Sequence, residues 1–255
     1  MATTDILVTM VSDLKRALRK PAATRRWAML IDTRKCIGCH ACTVGCIAEN
    51  GSPPGVIYRP VFEKEQGVFP KVTRTFVPRP CQHCDQPPCV AVCPTGGTAT
   101  WKSTDGVSAG TVVIDYARCI GCGMCVPACP YKARSLDEGR YYSEQAPSVP
   151  AYEKRPVYES GGTWPRDVPK LPVGVARKCH FCVHRLEAGM LPTCTTTCIG
   201  RATYFGDESD PESAIAQAKA AQPVTTLTRV ADATPLSGSA AFGPSPTRPR
   251  VYYIR

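Results

Sequence analysis

Sixteen cysteines divide into four quartets with none left over: Cys36, Cys39, Cys42 and Cys46; Cys81, Cys84, Cys89 and Cys93; Cys119, Cys122, Cys125 and Cys129; Cys179, Cys182, Cys194 and Cys198. Every quartet opens Cys-x2-Cys and closes Cys-x3-Cys, while the middle gap is two, four, two and eleven residues in turn. A disulfide needs only a pair of thiols, and a zinc site takes two separated pairs. Neither demands three thiols two residues apart with a fourth delayed. That run suits a 4Fe-4S cube, which three closely spaced thiolates wrap while the delayed thiolate reaches a different cube in a two-cluster unit. Sixteen thiolates suffice for four cubes.

The residue after each last cysteine shows how the quartets group. Cys93 and Cys129 are followed by Pro94 and Pro130, whereas Cys46 and Cys198 are followed by Ile47 and Ile199. The second and third quartets therefore read as an inner two-cluster module, and the first and fourth as an outer module closing around it. Exchange of the last thiol within each module then assigns the ligands. In the outer module one cube takes Cys36, Cys39, Cys42 and Cys198, and the other takes Cys179, Cys182, Cys194 and Cys46. In the inner module one cube takes Cys81, Cys84, Cys89 and Cys129, and the other takes Cys119, Cys122, Cys125 and Cys93. Because every quartet is complete, His40, His83, His180 and His184 are expected beside the clusters or at the surface, not on iron. Arg34, Lys35, Arg118, Lys132, Arg134, Arg177, Lys178, Arg185 and Arg201 are expected to compensate cluster charge and to stabilise the reduced state.

Composition points the same way. The 255 residues include 25 prolines and 20 glycines with 7% aromatics, which argues for a loop-rich chain stapled by coordinate bonds. The formal charge of +10 would ordinarily suggest nucleic acid or an anionic membrane. Each oxidised cube with its four thiolates carries about −2, so four of them leave an excess on the order of +2. Most of the lysine and arginine then compensates clusters, and no nucleic-acid partner is expected. No run of eighteen apolar residues is present, so no segment is expected to span a bilayer. Arg25-Arg26 is followed by Asp32, Arg34 and Lys35 in place of an apolar h-region, so an export signal is not expected either.

Around the thiols, the expected fold is α+β, with short hairpins and short helices holding two nested bacterial-ferredoxin-like modules. Residues 1–26 form an arm in which Leu7, Met10 or Val11, Leu14 and Leu18 recur at helical spacing before Pro21, and its apolar stripe docks on the body of the protein or on a partner. Residues 27–80 with 175–206 make the outer module, opened by the strand 27–32, and residues 81–130 make the inner one. Segments 98–101 and 111–115 flank a Gly- and Ser-containing turn and predict a hairpin. Residues 131–174 are polar and proline-rich, an insertion loop without periodicity. Residues 207–255 read as an extended surface tail, and "TYFG" and the terminal "RVYYI" as edge strands. No Ser/His/Asp set, Walker loop or dinucleotide fingerprint is present, so the chain is not expected to catalyse on its own.

The motifs "RWAMLIDTRKCIGCHAC", "CQHCDQPPCVAVCPTGGT", "VVIDYARCIGCGMCVPACPYKAR" and "RKCHFCVHRLEAGMLPTCTTTCIGRATYFGD" lie within residues 26–207. Together they resemble the four-cluster iron–sulfur subunits of the dimethyl sulfoxide reductase (molybdopterin oxidoreductase) family, as found with polysulfide, thiosulfate, tetrathionate and respiratory arsenate reductases and sulfite dehydrogenases. The resemblance implies a non-catalytic electron-transfer subunit with four 4Fe-4S clusters and the same crossed ligation. It also implies a molybdenum or tungsten bis-pterin catalytic subunit and a quinone-reactive membrane anchor or cytochrome as partners. The expected place is then peripheral on the cytoplasmic membrane, on the cytoplasmic side or, if an exported partner carries the chain, the periplasmic side. Some relatives replace a cysteine of the third quartet and hold a 3Fe-4S cluster; here all four are present. Segment 131–177 departs from the general pattern. A zinc-stapled binding module for nucleic acid or protein, and a free polyferredoxin, are the competing expectations.

Overall fold

The computed structural model describes residues 5–159, 162–166, 169–231 and 239–255. Trp27–Asp32, the apolar run before the first quartet, is buried at every position because it is paired on both sides. Thr203–Asp207 runs antiparallel to it, from Trp27 opposite Asp207 to Ile31 opposite Thr203. Val251–Ile254 runs parallel to it, from Met29 opposite Val251 to Asp32 opposite Ile254. Thr225–Ala231 and Ser239–Phe242 complete a five-stranded sheet on the far side of Val251–Ile254.

Side chains alternate across a strand, so this sheet buries two faces. Trp27, Met29, Ile31, Phe205, Val251 and Tyr253 join the main core, which also contains Cys42, Cys46, Cys81, Cys84, Cys129, Cys179 and Cys194. Ala28, Leu30 and Ile254 face Ile215 of the helix Ala214–Ala221 on the other side.

The N-terminal arm is a helix, Ile6–Leu18, started by Asp5, whose carboxylate accepts a 3.0 Å bond from Leu7 N. Its stripe packs on the body of the protein, with Met10, Leu14 and Ala17 buried in the main core. Buried Asp13 accepts from Ala214 N at 2.8 Å, and Arg16 and Lys20 reach Asp210 and Asp207.

Residues 207–255 correct the expectation of an extended tail. They hold the helix Ala214–Ala221 and three of the five sheet strands, with Leu227, Val251 and Tyr253 fully buried. The Ala-, Pro- and Ser-rich composition hid β-branched and aromatic residues at strand spacing. "RVYYI" is an interior strand, since Thr225–Ala231 covers its other side, whereas Thr203–Asp207 does lie at the edge. Part of this region, residues 232–238, lies outside the described residues.

The expected hairpin forms between Thr100–Lys102 and Val112–Ile114. A longer one, Val61–Val68 with Lys71–Pro78, was not anticipated, because its charged residues mask the strand alternation. Val61, Phe62 and Val77 bury its base while Phe69 at its tip is 88% exposed. The insertion loop is also more ordered than its composition suggests. Ser135–Leu136 pairs with Ala176–Arg177, and Val157–Glu159 pairs with Gly162–Trp164. Arg177, fully buried, pins it by donating to Asp137 at 2.8 Å and Glu159 at 3.0 Å. Residues 160, 161, 167 and 168 of the insertion lie outside the described residues.

Candidate metal centre

The four Cys-x2-Cys loops share one backbone device. The residue before the second cysteine is left-handed in each: Gly38 (φ 69°), His83 (44°), Gly121 (69°) and Phe181 (57°). A left-handed residue at that place turns successive N–H groups toward one side, a concavity suited to anionic sulfur. Phe181 N donates to Cys179 Sγ at 3.5 Å, and Gly38 N donates to the Cys36 thiol. Glycine is required where the loops are tightest. A Cβ on Gly38 would lie 2.4 Å from the Phe76 ring, and one on Gly121 would lie 2.1 Å from Gly174 O. The last cysteines of the third and fourth quartets use another donor, with Ala133 N on Cys129 Sγ at 3.4 Å and Ala202 N on Cys198 Sγ at 3.2 Å.

Three cavities are each lined by four thiols. Cys119, Cys122 and Cys125 share one with Cys93. Cys81, Cys84 and Cys89 share another with Cys129. Cys179, Cys182 and Cys194 share the third with Cys46. In each, three thiols come from one quartet and the fourth closes another. At Cys36, burial raises the thiol pKa, and the charges of Cys42 and Cys198 add to the rise. Cys39 is exposed. Among the described residues, no group of three or more His, Cys, Asp or Glu side chains closes on a point where a single ion could sit. The thiols stand around hollows, an arrangement fit for a body larger than one ion.

Their chemistry also fits a metal cluster. Burial pushes the Cys89 thiol up to about 11 and the Cys84 and Cys179 thiols up to about 12, and holds Cys46 and Cys182 well above the ordinary thiol range. Such groups stay protonated at neutral pH unless a cation holds the thiolate, and coordination to a metal deprotonates them outright.

Cys46 shows how a distant thiol is brought to its set. It lies on the helix Ala41–Asn50, whose last residue ties it to the fourth quartet. Asn50 Nδ2 donates to Cys46 O at 2.9 Å and to Cys46 Sγ at 3.4 Å. Its Oδ1 accepts from His180 Nε2 at 2.9 Å; the other ring nitrogen, Nδ1, accepts from Val183 N, which sets the tautomer. Burial lowers the His180 pKa to about 4, so the ring is neutral. One residue earlier, Glu49 accepts from His184 at 2.9 Å, Arg185 at 3.0 Å and Thr193 at 2.8 Å, clamping the same helix to the segment between Cys182 and Cys194.

Among the basic residues expected to compensate clusters, several are engaged by carboxylates: Arg34 by Asp32, Arg118 by Asp115, Arg185 by Glu49, Arg201 by Asp5, and Arg177 by Asp137 and Glu159. Arg134 is different, being 4% exposed and lining two of the thiol cavities. Two further buried arginines, Arg59 and Arg79, escaped the sequence reading. Arg59 is far from any cysteine in the chain and carries no local signal. Arg79 stands two residues before Cys81, and that proximity could have marked it.

Two models for a 4Fe-4S dicluster domain match the chain, one over residues 72–146 and 160–208, the other over 35–97. The chain is similar to a selenate reductase subunit of Mesobacillus selenatarsenatis, 50% identical over 250 residues that cover 98% of this chain and 79% of that protein. It is 42% identical to a tetrathionate reductase subunit of Salmonella typhimurium over 193 residues, 75% of this chain and 62% of the relative. Over 248 residues it is 33% identical to the arsenate respiratory reductase iron–sulfur subunit of a Shewanella species, covering 90% of this chain and 96% of that one.

Proposed function

This chain belongs to the family of 4Fe-4S electron-transfer subunits of molybdopterin reductases, and from that premise we propose that it relays single electrons through four 4Fe-4S clusters held by crossed thiol sets. The clusters would be bound by Cys36, Cys39, Cys42 and Cys198; Cys46, Cys179, Cys182 and Cys194; Cys81, Cys84, Cys89 and Cys129; and Cys93, Cys119, Cys122 and Cys125. The observation that carries this reading is the lining of three separate cavities by three thiols of one quartet and the closing thiol of another. Exchange of the closing thiols, Cys46 for Cys198 and Cys93 for Cys129, would make two nested modules.

A bound cluster supplies reversible one-electron exchange without transfer of atoms. The chain's own residues bind, orient and shield. Thiolates anchor the inorganic core, and backbone N–H groups of Phe181, Ala133 and Ala202 donate to Cys179, Cys129 and Cys198 sulfur. Asn50 and Glu49 hold the helix that delivers Cys46. All eight thiols of the Cys81 and Cys179 sets are buried, which shields those two sets from water.

The exposed thiols Cys39 and Cys122 fall in different sets, those of Cys36 and Cys119. Exposed apolar side chains lie close to the same cysteines in the chain, Ile37 and Val44 in the first quartet and Ile120 and Met124 in the third, with Ile199 following Cys198. These two faces suit redox partners, a molybdenum or tungsten catalytic subunit at one and a membrane quinone-reactive subunit or cytochrome at the other. Among the described residues no helix is long and apolar enough to cross a membrane.

The test pairs serine substitutions with electron paramagnetic resonance on the anaerobically purified complex. Cys198→Ser should disturb the same signal as Cys39→Ser, and Cys46→Ser the same signal as Cys182→Ser. If Cys198→Ser instead matches Cys182→Ser, crossed ligation fails. Iron and sulfide far below about sixteen each per chain, with zinc in the sites, would refute the relay itself.

A further inference from the structure

Arg59, Arg79 and Arg134 are 1%, 4% and 4% exposed, and among the described residues none of them forms a salt bridge with a carboxylate. A buried guanidinium without an anion costs several kcal/mol, so its counter-charge must come from elsewhere. Neutral neighbours satisfy only some of the donors. Arg59 Nη1 meets Met29 Sδ at 2.9 Å and Nη2 donates to Thr203 Oγ1 at 2.7 Å, but Nε has no partner. Arg79 is stacked 5.3 Å from the Phe62 ring centre, and its Nε and Nη1 are both unpartnered. Arg134 Nη2 donates to Thr100 Oγ1 at 3.0 Å. Buried orphan donors are rare enough to require an explanation.

Their surroundings provide one. Arg59 lines the cavity of Cys46, Cys179, Cys182 and Cys194, and also lies beside Cys42 of the neighbouring set. Arg79 stands two residues before Cys81, packed on Phe62, and its charge is coupled to Cys129 and Cys81 of one set and to Cys179 of another. Arg134 lines both the Cys81 cavity and the Cys119 cavity. Each of the three arginines is coupled to two sets, and no two share the same pair. They order the sets in a row: Cys36, Cys179, Cys81, Cys119, each named by its first thiol.

Resting on the four-cluster reading above, we propose that Arg59, Arg79 and Arg134 are positioning charges, one at each junction of the row, that raise the potentials of the two clusters they separate. An electron added to one cluster repels an electron on the next. A fixed cation between them attracts the added electron on either cluster and so offsets that repulsion, and in a dry interior the attraction is only weakly screened. Lysine, a point charge on a flexible stem, retains the charge but not the fixed fork of donors.

The experiment is a potentiometric titration followed by electron paramagnetic resonance on the intact complex, with iron and sulfide measured on each sample. In Arg79→Met the clusters of the Cys179 and Cys81 sets should each fall in midpoint by at least 59 mV, a tenfold change in the oxidised-to-reduced ratio of a one-electron couple, while the other two move less. Arg59→Met should lower the Cys36 and Cys179 clusters, and Arg134→Met the Cys81 and Cys119 clusters. Each Arg→Lys variant should recover much of the shift. Full iron with all four midpoints unchanged, or with all four displaced equally, overturns the proposal. If a methionine variant does not load iron, the lysine variant decides. Recovery of iron and midpoints by lysine supports a charge role, and failure of both variants to load assigns that arginine to structure and overturns the proposal at its junction. Iron content reports separately on the four-cluster reading, because wild-type protein with far fewer than about sixteen iron atoms would refute that reading before any arginine is tested.

Discussion

The His83 ring lies flat on Phe181, with ring centres 3.8 Å apart and planes 25° from parallel. Both residues occupy the left-handed position of a Cys-x2-Cys loop, one in the second quartet and one in the fourth. The stack therefore couples a loop of the second quartet to a loop of the fourth. Phe181 also meets Phe205 of the central sheet edge-on at 5.2 Å, which ties both loops to the scaffold.

Phe181→Ala should thus loosen two thiol sets at once. Replacing a buried phenylalanine by alanine costs about 3–5 kcal/mol. Chemical unfolding of the iron-loaded variant should show a loss of that size, with faster release of iron to a chelator. A change below about 1 kcal/mol would mean that the stack is incidental.

Gly121→Ala should damage one set and spare the rest. Its Cβ would fall 2.1 Å from Gly174 O in a backbone with φ of 69°, so the Cys119–Cys122 loop cannot keep its shape. Iron should drop by about a quarter, and Cys119-set signals should be lost. Gly189→Ala has a similar φ of 71° but nothing within 4 Å, so it should cost only about 1–2 kcal/mol and retain iron. Equal iron in the two variants would contradict this account.

Arg177→Met should destabilise strongly, because it takes the nearest cation from fully buried Glu159 and leaves fully buried Asp137 only Arg166 at 3.4 Å. Burial opposes ionisation of Glu159, yet the Arg177 charge overrides it and holds the carboxyl below its usual range. Removing one partner of a buried pair costs about 3–5 kcal/mol. Thermal unfolding should reveal this, and protease should gain access to residues 137–159. A variant as stable as the parent would show that the insertion is anchored by other contacts.

Asp207 makes the N-terminal helix acid-sensitive. Burial raises its pKa, but bonds from Ser209, Arg26 N and Lys20 outweigh that and leave it lowered. Its stabilisation is therefore fully present above the unfolded value of about 3.9 and is lost as pH falls through the lower folded value. Protection of the amides in the helix Ile6–Leu18, taken relative to the intrinsic exchange rate at each pH, should fall on acidification through that window, and Asp207→Asn should show faster exchange already at neutral pH. Unchanged exchange in Asp207→Asn would remove Asp207 from this role.

Signals confined to a few neighbouring residues were legible in the sequence. The thiol spacing, the amphipathic period of the arm, the apolar run Trp27–Asp32 and the short hairpin each carry their information within one window. The loop-rich α+β character was readable from the prolines and glycines. Long-range pairing was not, since nothing in "RVYYI" says that Met29 is its partner across the sheet. Arg59 and Arg79 were missed because their surroundings are assembled from remote segments. The hairpin Val61–Val68 and Lys71–Pro78 was hidden by charges along its strands.

Val251–Ile254 sits between Trp27–Asp32 and Thr225–Ala231. During synthesis, Trp27–Asp32 must wait until the more than two hundred residues between the two strands have left the ribosome before Val251–Ile254 fills its missing side. Segments carrying all sixteen thiols will by then have emerged, so the scaffold closes late, leaving an interval in which the maturation machinery can reach the thiols before they are enclosed.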